Sequence, residues 1–403
     1  MTKQFPRLLV ATEFPPNASG GGGAIVRQML KGWPVEKLIW WSCVPDSGQR
    51  FSQSVTAHAV ARIPHKLYPQ RRYRRQKSWL LENIWSPWAA RNFRQTLTIF
   101  KPEVVWVIPH GWAIPPLARA LAHTQVGFHV SVHDYMDNQG SMAGYGAARA
   151  HRLSGQAEQL YKGATTRDVI CQLMADDLQA RTGSAATQVL HAGLEPEDFN
   201  HLTTKISNSG GKIRIAFAGT ISTEETFVLF IKALDSVRAK FSRPVSLEIF
   251  SSHSYRDREW FDAAWMYERG NLAEPHFTQA LRECTWGFAP MSLAEDDPRH
   301  RFSLPTKFMS YLAAGLPIFT LGHPECGVVK LAEAYQVGEC VTSGDFENLQ
   351  RRLFAALAIE NPWQKFGAEI LRCARTECDA TRAREKLYDG FRRCAEKTRA
   401  AFL

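Results

Sequence analysis

A lysine in the second half of the chain has the sequence surroundings of an anion-binding group. Lys307 follows Pro305 and Thr306, and Pro305 suits the start of a helix. The first backbone N–H groups of a helix have no partner within it, so Thr306 and Lys307 lie where free donors gather. A lysine at this place opposes the helix dipole unless an anion binds nearby. The pattern therefore predicts an anion site at Lys307; a solvated surface lysine is the alternative.

Four consecutive glycines, at positions 20–23, follow the first predicted strand and precede a predicted helix. A glycine loop in this place lets backbone N–H groups approach a phosphate closely. The spacing matches neither the dinucleotide fingerprint nor the P-loop. We expect Gly22 and Gly23 to contact a phosphate or a substrate, and a surface loop without a ligand is the alternative.

Two histidines are four residues apart in sequence. His129 lies in the predicted strand at 126–132, and His133 directly follows that strand. On a strand this spacing separates them by about 13 Å, so they cannot share one metal ion. His133 precedes Asp134 at the carboxyl end of the strand, where functional residues of parallel sheets lie. We expect a functional His133, with a structural histidine as the alternative.

A strongly basic segment lies between Arg62 and Arg94, with nine basic residues, one acid and interleaved tryptophans. Arginine beside tryptophan suits an anionic membrane surface or a phosphate-linked acceptor. Nucleic acid is not expected, because no nucleic-acid motif accompanies the charge; an ordinary charged helix face is the alternative. The residues that we assign to an acceptor or membrane surface are Arg71, Arg72, Arg74, Arg75, Trp79 and Trp85.

The elements that must position these residues alternate between strands and helices in both halves of the chain. This alternation predicts an α/β protein with two Rossmann-like domains, each built on a parallel sheet, facing across a cleft that holds the ligand. A length of 403 residues also favours two domains. The expected boundaries are a first domain at 1–200, a polar linker at 201–212, a second domain at 213–375, and a helix at 376–403 that packs back toward the first domain.

Composition limits the cellular setting. The chain carries a net charge of +10 and is 45% hydrophobic, but it contains no apolar run of about 18 residues and no signal-peptide core. Its eight cysteines are scattered, without a Cys-x-x-Cys pair, which argues against a disulfide framework and a structural zinc site. The sequence contains no Asp-x-Asp signal for a metal-bound diphosphate. We expect a cytoplasmic protein.

Six segments in a fixed order resemble the family 4 glycosyltransferases, which have the GT-B architecture. These segments are Gly22–Gly23, Val130–Asp134, Thr187–Phe199, Ile215–Gly219, Leu281–Pro290 and Leu304–Pro317. The order is more specific than any single segment.

Four positions depart from the family pattern. Thr220 and Glu225 stand where an arginine and a lysine commonly grip the donor diphosphate, and Phe302 and Ser310 stand where the family has two glutamates. Some members carry a Pro-[Ser/Thr]-Lys signature instead, and in these Lys307 would be the main cation.

The resemblance implies transfer of a sugar from a nucleotide sugar to a hydroxyl acceptor that is a glycan, a lipid-linked molecule or a polysaccharide precursor. It makes the domain at 1–200 the acceptor side and the domain at 213–375 the nucleotide-sugar-binding side. It further implies retention of configuration, no metal and no other cofactor. A role in cell-envelope or polysaccharide synthesis would place the chain on the inner face of the membrane. His133 and Lys307 would be catalytic. The expected donor contacts are Gly22, Gly23, Gly219, Thr220, Pro290, Ser303, Thr306, Lys307 and Ser310.

The four departures also support an alternative from another class. A non-catalytic GT-B relative would bind a nucleotide or glycan, or act as a scaffold for a partner, without turnover.

Overall fold

The computed structural model describes residues 5–16, 21–43, 57–67, 72–136, 147–191, 193–204, 211–273 and 275–402. The chain divides into two compact units. The first consists of Met1–Leu190 and Arg382–Leu403, and the second of His191–Thr381.

The first unit is built on a seven-stranded parallel sheet with the strand order β3-β2-β1-β4-β5-β6-β7. Its strands are β1 (Leu8–Thr12), β2 (Leu38–Ser42), β3 (Ala57–Val60), β4 (Val104–Val107), β5 (Phe128–Val132), β6 (Thr166–Val169) and β7 (Gln188–Val189). Its helices before the second unit are α1 (Gly21–Met29), α2 (Arg74–Leu80), α3 (Ser86–Phe100), α4 (Ile114–Leu121), α5 (Ala147–Gly163) and α6 (Gln172–Thr182). The central strands are buried along their whole length, as apolar runs in parallel sheets are.

The second unit is built on a six-stranded parallel sheet with the order β10-β9-β8-β11-β12-β13. Its strands are β8 (Ile213–Ala218), β9 (Val245–Phe250), β10 (Met266–Glu268), β11 (Trp286–Pro290), β12 (Ile318–Leu321) and β13 (Gly338–Val341). Its helices are α7 (Pro196–Thr204), α8 (Glu224–Arg238), α9 (His276–Arg282), α10 (Pro298–Arg301), α11 (Thr306–Ala314), α12 (Gly327–Tyr335), α13 (Phe346–Leu357) and α14 (Pro362–Glu377). The two sheets confirm the predicted α/β class with two Rossmann-like domains.

Each sheet has one point where the strand order reverses. In the first unit this switch point lies between β1 and β4, and in the second it lies between β8 and β11. The loops that leave the carboxyl ends of such a strand pair run in opposite directions and leave a crevice between them. The crevice is the default ligand site of each sheet.

The last helix, α15 (Ala380–Ala401), packs from Arg382 onward within the first unit. Phe391 is fully buried in the same core cluster as Trp106. The Thr398 hydroxyl donates to the Glu103 carbonyl and accepts from the Gly127 N–H, both at 2.7 Å. A Cβ on Gly127 would lie 2.2 Å from a backbone oxygen of this helix, so glycine is needed for the close approach.

The sequence analysis did not predict three short strands. The strands β3, β10 and β13 lie at or near sheet edges and are only partly buried, so they lack the continuous apolar run of a central strand. The expected linker at 201–212 begins inside α7, which continues to Thr204. Residues 205–210 of that linker lie outside the described residues.

A tyrosine fixes the switch point of the second unit. The pairing of β8 with β11 covers only the two register pairs that begin at Ile215 and Ala216. Beyond them, the Tyr311 hydroxyl accepts from the Ala218 N–H at 2.8 Å and donates to the Phe288 carbonyl at 3.1 Å. A Cβ on Gly287 would lie 2.5 Å from the Tyr311 ring, so glycine leaves the space for the ring. Helix α11 is thereby attached to both strands that bound the crevice.

We expect the Tyr311→Phe variant to lose about 2 kcal/mol of unfolding free energy. The change keeps the buried ring but leaves the Ala218 N–H and the Phe288 carbonyl without their partner. Urea denaturation and hydrogen exchange of β8 and β11 would measure the loss. The half-exposed Tyr267 provides the control, since Tyr267→Phe should change stability by less than about 0.5 kcal/mol. Equal effects of the two variants would contradict this role of Tyr311.

Candidate functional site

The first turn of α11 offers backbone donors at the switch point of the second unit. Pro305 precedes the helix in an extended conformation and provides no side-chain cap. The Phe308 N–H bonds to the Pro305 carbonyl at 2.9 Å, whereas the earlier N–H groups of Thr306 and Lys307 precede the internal hydrogen-bond ladder. The helix start therefore presents two N–H groups and the positive end of its dipole.

The Lys307 ammonium lies beside these donors without a counter-ion. Its Nζ is 4.2 Å from the centroid of the Phe217 ring. Across the described part of the chain, the ammonium has no ion pair or hydrogen bond besides this contact. Burial lowers the pKa of Lys307 to about 8. Because burial disfavours this charge, a bound anion would stabilise the protonated ammonium strongly.

Gly219 brings the end of β8 to the same place. It adopts a φ of +90°, which strongly favours glycine, and its N–H donates to the Phe250 carbonyl at 2.8 Å. A Cβ built on Gly219 would lie 3.9 Å from Cε of Lys307. The glycine and the lysine, which are far apart in sequence, are therefore neighbours in the fold. Thr220 follows as an exposed residue.

The other residues that we predicted to contact the nucleotide-sugar donor differ in their exposure to solvent. Pro290 is the last residue of β11 and is buried. Ser303 is partly exposed in the loop before α11, and Thr306 is exposed at the helix start. The Ser310 hydroxyl donates to the Thr306 carbonyl at 3.3 Å, so it is directed back onto its own helix. Thr220 and Thr306 are thus the most exposed of these hydroxyl groups, and Ser303 is partly exposed.

A histidine that the sequence analysis missed lies next to the lysine. His300, on α10, is only 8% exposed, and its Nδ1 has no hydrogen-bond partner among the residues that are described. Burial lowers the pKa of His300; Asp297 opposes this, and the Arg299 and Lys307 charges reinforce it. His300 is therefore a neutral imidazole at neutral pH. A single histidine in a polar loop gave no sequence signal.

The positions that differ from the family pattern offer no replacement for its charged groups. Phe302 is buried with 4% exposure, and Glu225 is exposed in the first turn of α8. Lys307 is therefore the cation that the structure places at this switch point.

The predicted glycine loop at 20–23 is helical at Gly21–Gly23, the part of it that the structure describes. Helix α1 already begins at Gly21, so Gly22 and Gly23 lie in its first turn, and Gly20 lies outside the described residues. Val26, one turn after Gly22 in the same helix, is buried in the core. A Cβ on Gly22 would lie 3.2 Å from the Phe14 ring. These glycines therefore offer helix N–H groups at the carboxyl end of β1.

His133 directly follows β5 and is partly buried. Its Nδ1 has no hydrogen-bond partner in the described ranges. Burial lowers its pKa, against the opposing charges of Asp168 and Asp134. His133 is thus a neutral histidine with an unused ring nitrogen at the carboxyl edge of the sheet.

His129 has a structural role instead. It is fully buried, and its Nε2 is 2.5 Å from Asp168 Oδ2 while its Nδ1 is 2.7 Å from Thr166 Oγ1. The Ser131 hydroxyl donates to the same carboxylate oxygen and accepts from the Trp106 indole, both at 2.7 Å. This network satisfies polar groups inside the core.

The basic surface of the first unit consists of a nearly continuous helical segment. A π-helical turn, Leu81–Trp85, joins α2 to α3. Arg72, Arg74 and Arg75 are exposed, and Trp79 is 52% exposed.

Trp85 does not belong to this surface. It is 5% exposed, and its indole N–H donates to the Arg62 carbonyl at 2.9 Å, because its position in the helix faces the core. Arg71 lies outside the described residues. The sequence analysis did not assign Ile84 and Trp88, which are 60% and 49% exposed.

The cations of this surface lack acidic partners. None of the following makes an ion pair with a residue that the structure describes: Arg72, Arg74, Arg75, Lys77, Arg91 and Arg94. The nearby Glu82 pairs instead with Arg149 and Arg152. The surface therefore keeps its positive charge.

In the described part of the chain, no helix is both long and apolar enough to cross a membrane. The residues with defined positions contain no group of three or more His, Cys, Asp or Glu side chains that could hold a metal ion.

The comparisons with known proteins concern the fold. The sequence matches no protein-family model, and no curated protein is significantly similar. A trehalose-phosphate synthase (UDP-forming) from Burkholderia xenovorans, in complex with glucose-6-phosphate, matches with a TM-score of 0.67 at 12% identity, over 96% of this chain and 100% of that chain. The sucrose-phosphate synthase of Thermosynechococcus elongatus matches with a TM-score of 0.69 at 12% identity, over 96% and 98%.

A third solved structure has the same fold but is described as a different enzyme. A Listeria monocytogenes protein described as a UDP-N-acetylglucosamine 2-epimerase matches with a TM-score of 0.56 at 12% identity, over 95% of both chains. At such identities the likeness establishes architecture and not reaction. The chain has the GT-B type of fold, with two Rossmann-like α/β domains.

Proposed function

We propose that this protein is a glycosyltransferase that moves a sugar from a nucleotide sugar to a hydroxyl acceptor. The observation that carries the proposal is the Lys307 ammonium, which lies at a helix start and a switch point beside Gly219 and has no counter-ion among the residues that the structure describes. The acceptor is a glycan, a lipid-linked molecule or a polysaccharide precursor. The UDP-forming synthase with this fold supports a nucleotide sugar as donor.

The charge at the site matches the needs of this reaction. When the bond between C1 of the sugar and the diphosphate breaks, negative charge develops on the leaving diphosphate. Fixed positive groups stabilise this charge most where water is excluded. Lys307 and the first N–H groups of α11 supply them, and Gly219 leaves space for the diphosphate beside them, so the proposal requires no metal ion.

The remaining assignments follow from position. Thr220, Ser303 and Thr306 lie where hydroxyl groups can hydrogen-bond to the donor, and Pro290 and Ser310 shape the same edge of the sheet. In the first unit, His133 and the first turn of α1 with Gly22 and Gly23 contribute to substrate contact.

A non-catalytic binding protein is the second candidate. The exposed Glu225 and the buried Phe302 favour it, because neither can replace the charged donor contacts of the family. A panel of UDP-, GDP- and dTDP-sugars with candidate acceptors separates the two. Release of a nucleoside diphosphate identifies the enzyme, and tight binding with no release under any condition identifies the binding protein.

The basic surface of α2 and α3 supports a location at an anionic membrane. Unpaired arginines surround exposed aromatic side chains, which suits lipid phosphates and the headgroup region together. We propose that the first unit binds the inner face of the membrane peripherally through this surface. A role in cell-envelope or polysaccharide synthesis would follow from such a location.

We expect Lys307→Met to weaken nucleotide-sugar binding by about 30- to 1,000-fold, which corresponds to about 2–4 kcal/mol for a lost buried charge contact. The same change should leave the melting temperature of the free protein unchanged or raise it, since an unpaired, partly buried charge disappears. Isothermal titration calorimetry and thermal unfolding would measure the two effects. Lys232→Met, on the exposed face of α8, is the control. Unchanged binding in Lys307→Met would remove the lysine from this role.

Binding should also depend on pH. The anion needs the protonated ammonium, and the pKa of the free Lys307 is about 8, so affinity should fall as the pH rises from 7 to 9. The diphosphate of a nucleotide sugar does not titrate in this range, and the neighbouring His300 is already neutral because burial lowers its pKa. Lys307→Arg keeps its charge up to pH 9 and should bind with little pH dependence. Parallel pH profiles of the two proteins would argue against titration of Lys307.

Membrane binding can be tested by flotation with phosphatidylglycerol-containing vesicles. We expect binding that weakens between 0.1 and 0.5 M salt, because exposed charges are screened. The double variant Arg74→Glu/Arg75→Glu should bind at least about tenfold more weakly, since each basic residue contributes about 1 kcal/mol. Lys232→Glu/Lys240→Glu makes the same charge change on exposed residues of the second unit and should bind normally. Equal losses in both double variants would indicate nonspecific attraction by net charge.

A further inference from the structure

A large open groove lies at the amino edge of the sheet in the first unit. Its walls are the last turns of α3, the end of α4 with the loop that follows it, and the end of α15. All of these elements belong to the first unit. The groove measures about 1080 Å³, at the upper end of the range of about 300–1,000 Å³ for ligand pockets. It therefore has room for an extended molecule, at the edge of the sheet away from the carboxyl ends of the strands.

Hydrogen bonds within the fold fix the walls of this groove. At its base, the Thr398 hydroxyl joins α15 to the residues that precede β4 and β5. The Arg399 guanidinium donates twice to one carboxylate oxygen of Glu103, at 2.7 and 3.0 Å. Lys101 ends α3 with a φ of +48°, and its N–H donates to the Leu97 carbonyl at 2.8 Å. The groove is therefore a feature of the fold that needs no ligand to form.

Apolar side chains of the groove are open to solvent. Leu97 and Val126 are partly exposed on two different walls, and Phe402 on the third is 69% exposed. Covering apolar surface of this kind with an apolar group is favourable, at about 25 cal/mol per Å². The walls therefore suit a hydrocarbon chain.

Two cations at the groove have no acidic partner among the described residues. These are Arg94 and Lys101, which are exposed and line the groove from the end of α3. They are seven residues apart, so they lie about two turns apart on one side of the helix. Glu103 is the one acid among the described lining residues, and Arg399 already neutralises it. The groove thus joins apolar walls to a net positive charge, which an amphiphilic anion complements.

The basic surface of α2 and α3 continues into this groove. Arg94 belongs to both, and Arg91 is exposed one turn earlier in the same helix. A phospholipid at this surface offers both groups that the groove requires, a phosphate for the cations and a hydrocarbon chain for the apolar walls. A nucleotide or a sugar phosphate lacks the chain and would leave the apolar walls in contact with water. The charge and the position of the groove therefore favour a lipid.

We propose that the groove binds one acyl chain of an anionic phospholipid, whose phosphate contacts Arg94 and Lys101. The inference rests on the proposed peripheral membrane location and adds to it a site for a single lipid molecule. Membrane binding then has two components. Salt screens the attraction of the exposed arginines to the surface, whereas it does not weaken the burial of a chain in the groove.

Titration with phospholipids below their micelle concentration tests the groove without a membrane. We expect dihexanoyl and diheptanoyl phosphatidylglycerol to bind the full chain at a single site by isothermal titration calorimetry. The longer lipid should bind about three- to fourfold more tightly, because one more CH₂ of the bound chain is buried. Glycerol 3-phosphate lacks the chain, and phosphatidylcholine of equal chain length lacks the net charge. Each should bind at least about tenfold more weakly.

Two neighbouring substitutions separate the groove from the rest of the helix surface. Thr98→Trp fills the groove and should abolish binding of the monomeric lipid. Ile99→Trp changes the next residue, which is 74% exposed and is not among the lining residues, and it should bind normally. Both positions are exposed, so both variants should keep the melting temperature of the wild type.

A second pair of variants tests the contact with the lipid phosphate. Arg94→Gln/Lys101→Gln should weaken binding at least about tenfold, since each basic residue near a lipid phosphate contributes a factor of about five. Arg119→Gln/Lys162→Gln removes two exposed charges of the same unit outside the groove and should bind normally.

Equal lipid affinity in Thr98→Trp and Ile99→Trp, or an affinity independent of chain length, would overturn the inference. A wild-type dimer in sedimentation that Thr98→Trp dissociates would also overturn it, because a second copy of the chain would then cover the groove. Failure of the membrane location would appear separately, as binding of monomeric lipid without flotation on vesicles. Flotation without binding of monomeric lipid would instead remove the groove and leave the basic surface.

Discussion

The geometry of the candidate site in the second unit depends on one tyrosine that holds two strands apart. The strands β8 and β11 must diverge at their carboxyl ends to open a crevice, but divergence leaves backbone groups unpaired inside the protein. The Tyr311 hydroxyl satisfies one group on each strand, and Gly287 gives the ring its space. Since Tyr311 belongs to α11, the same contact places the start of that helix, and Lys307 with it, at the opening.

Unpaired charges separate the candidate sites from the rest of the surface. Arginines of the second unit commonly pair with nearby acids, as Arg214 does with Glu283 and Arg352 with Glu339. Among the described residues Lys307 has no such partner, although its burial makes the charge costly. The arginines of α2 and α3 also lack an acidic partner within the described ranges, but they are exposed, so their charge costs little. The partly buried ammonium of Lys307 suits tight binding of a small anion. The exposed arginines of α2 and α3 suit a broad anionic surface.

Three histidines of the first unit differ in how deeply they lie in the sheet. His129 lies within the sheet, where Asp168 and Thr166 use both of its ring nitrogens. His110 and His133 follow the ends of their strands, and each keeps a nitrogen without a hydrogen bond to any described residue. All three are near carboxylates. The two at the carboxyl edge are partly exposed, whereas the sheet buries His129.

The sequence by itself determined the central strands, the α/β class and the position of Lys307 at a helix start. Apolar runs and a proline before a helix are local signals, and they act through the residues next to them. It also indicated the basic segment, but not that Trp85 faces the core. Only the tertiary structure decided which distant residues meet. The contact of Lys307 with Gly219 and the pairing of Glu13 with His110 depend on strand order, which brings together the ends of strands that are separated along the chain.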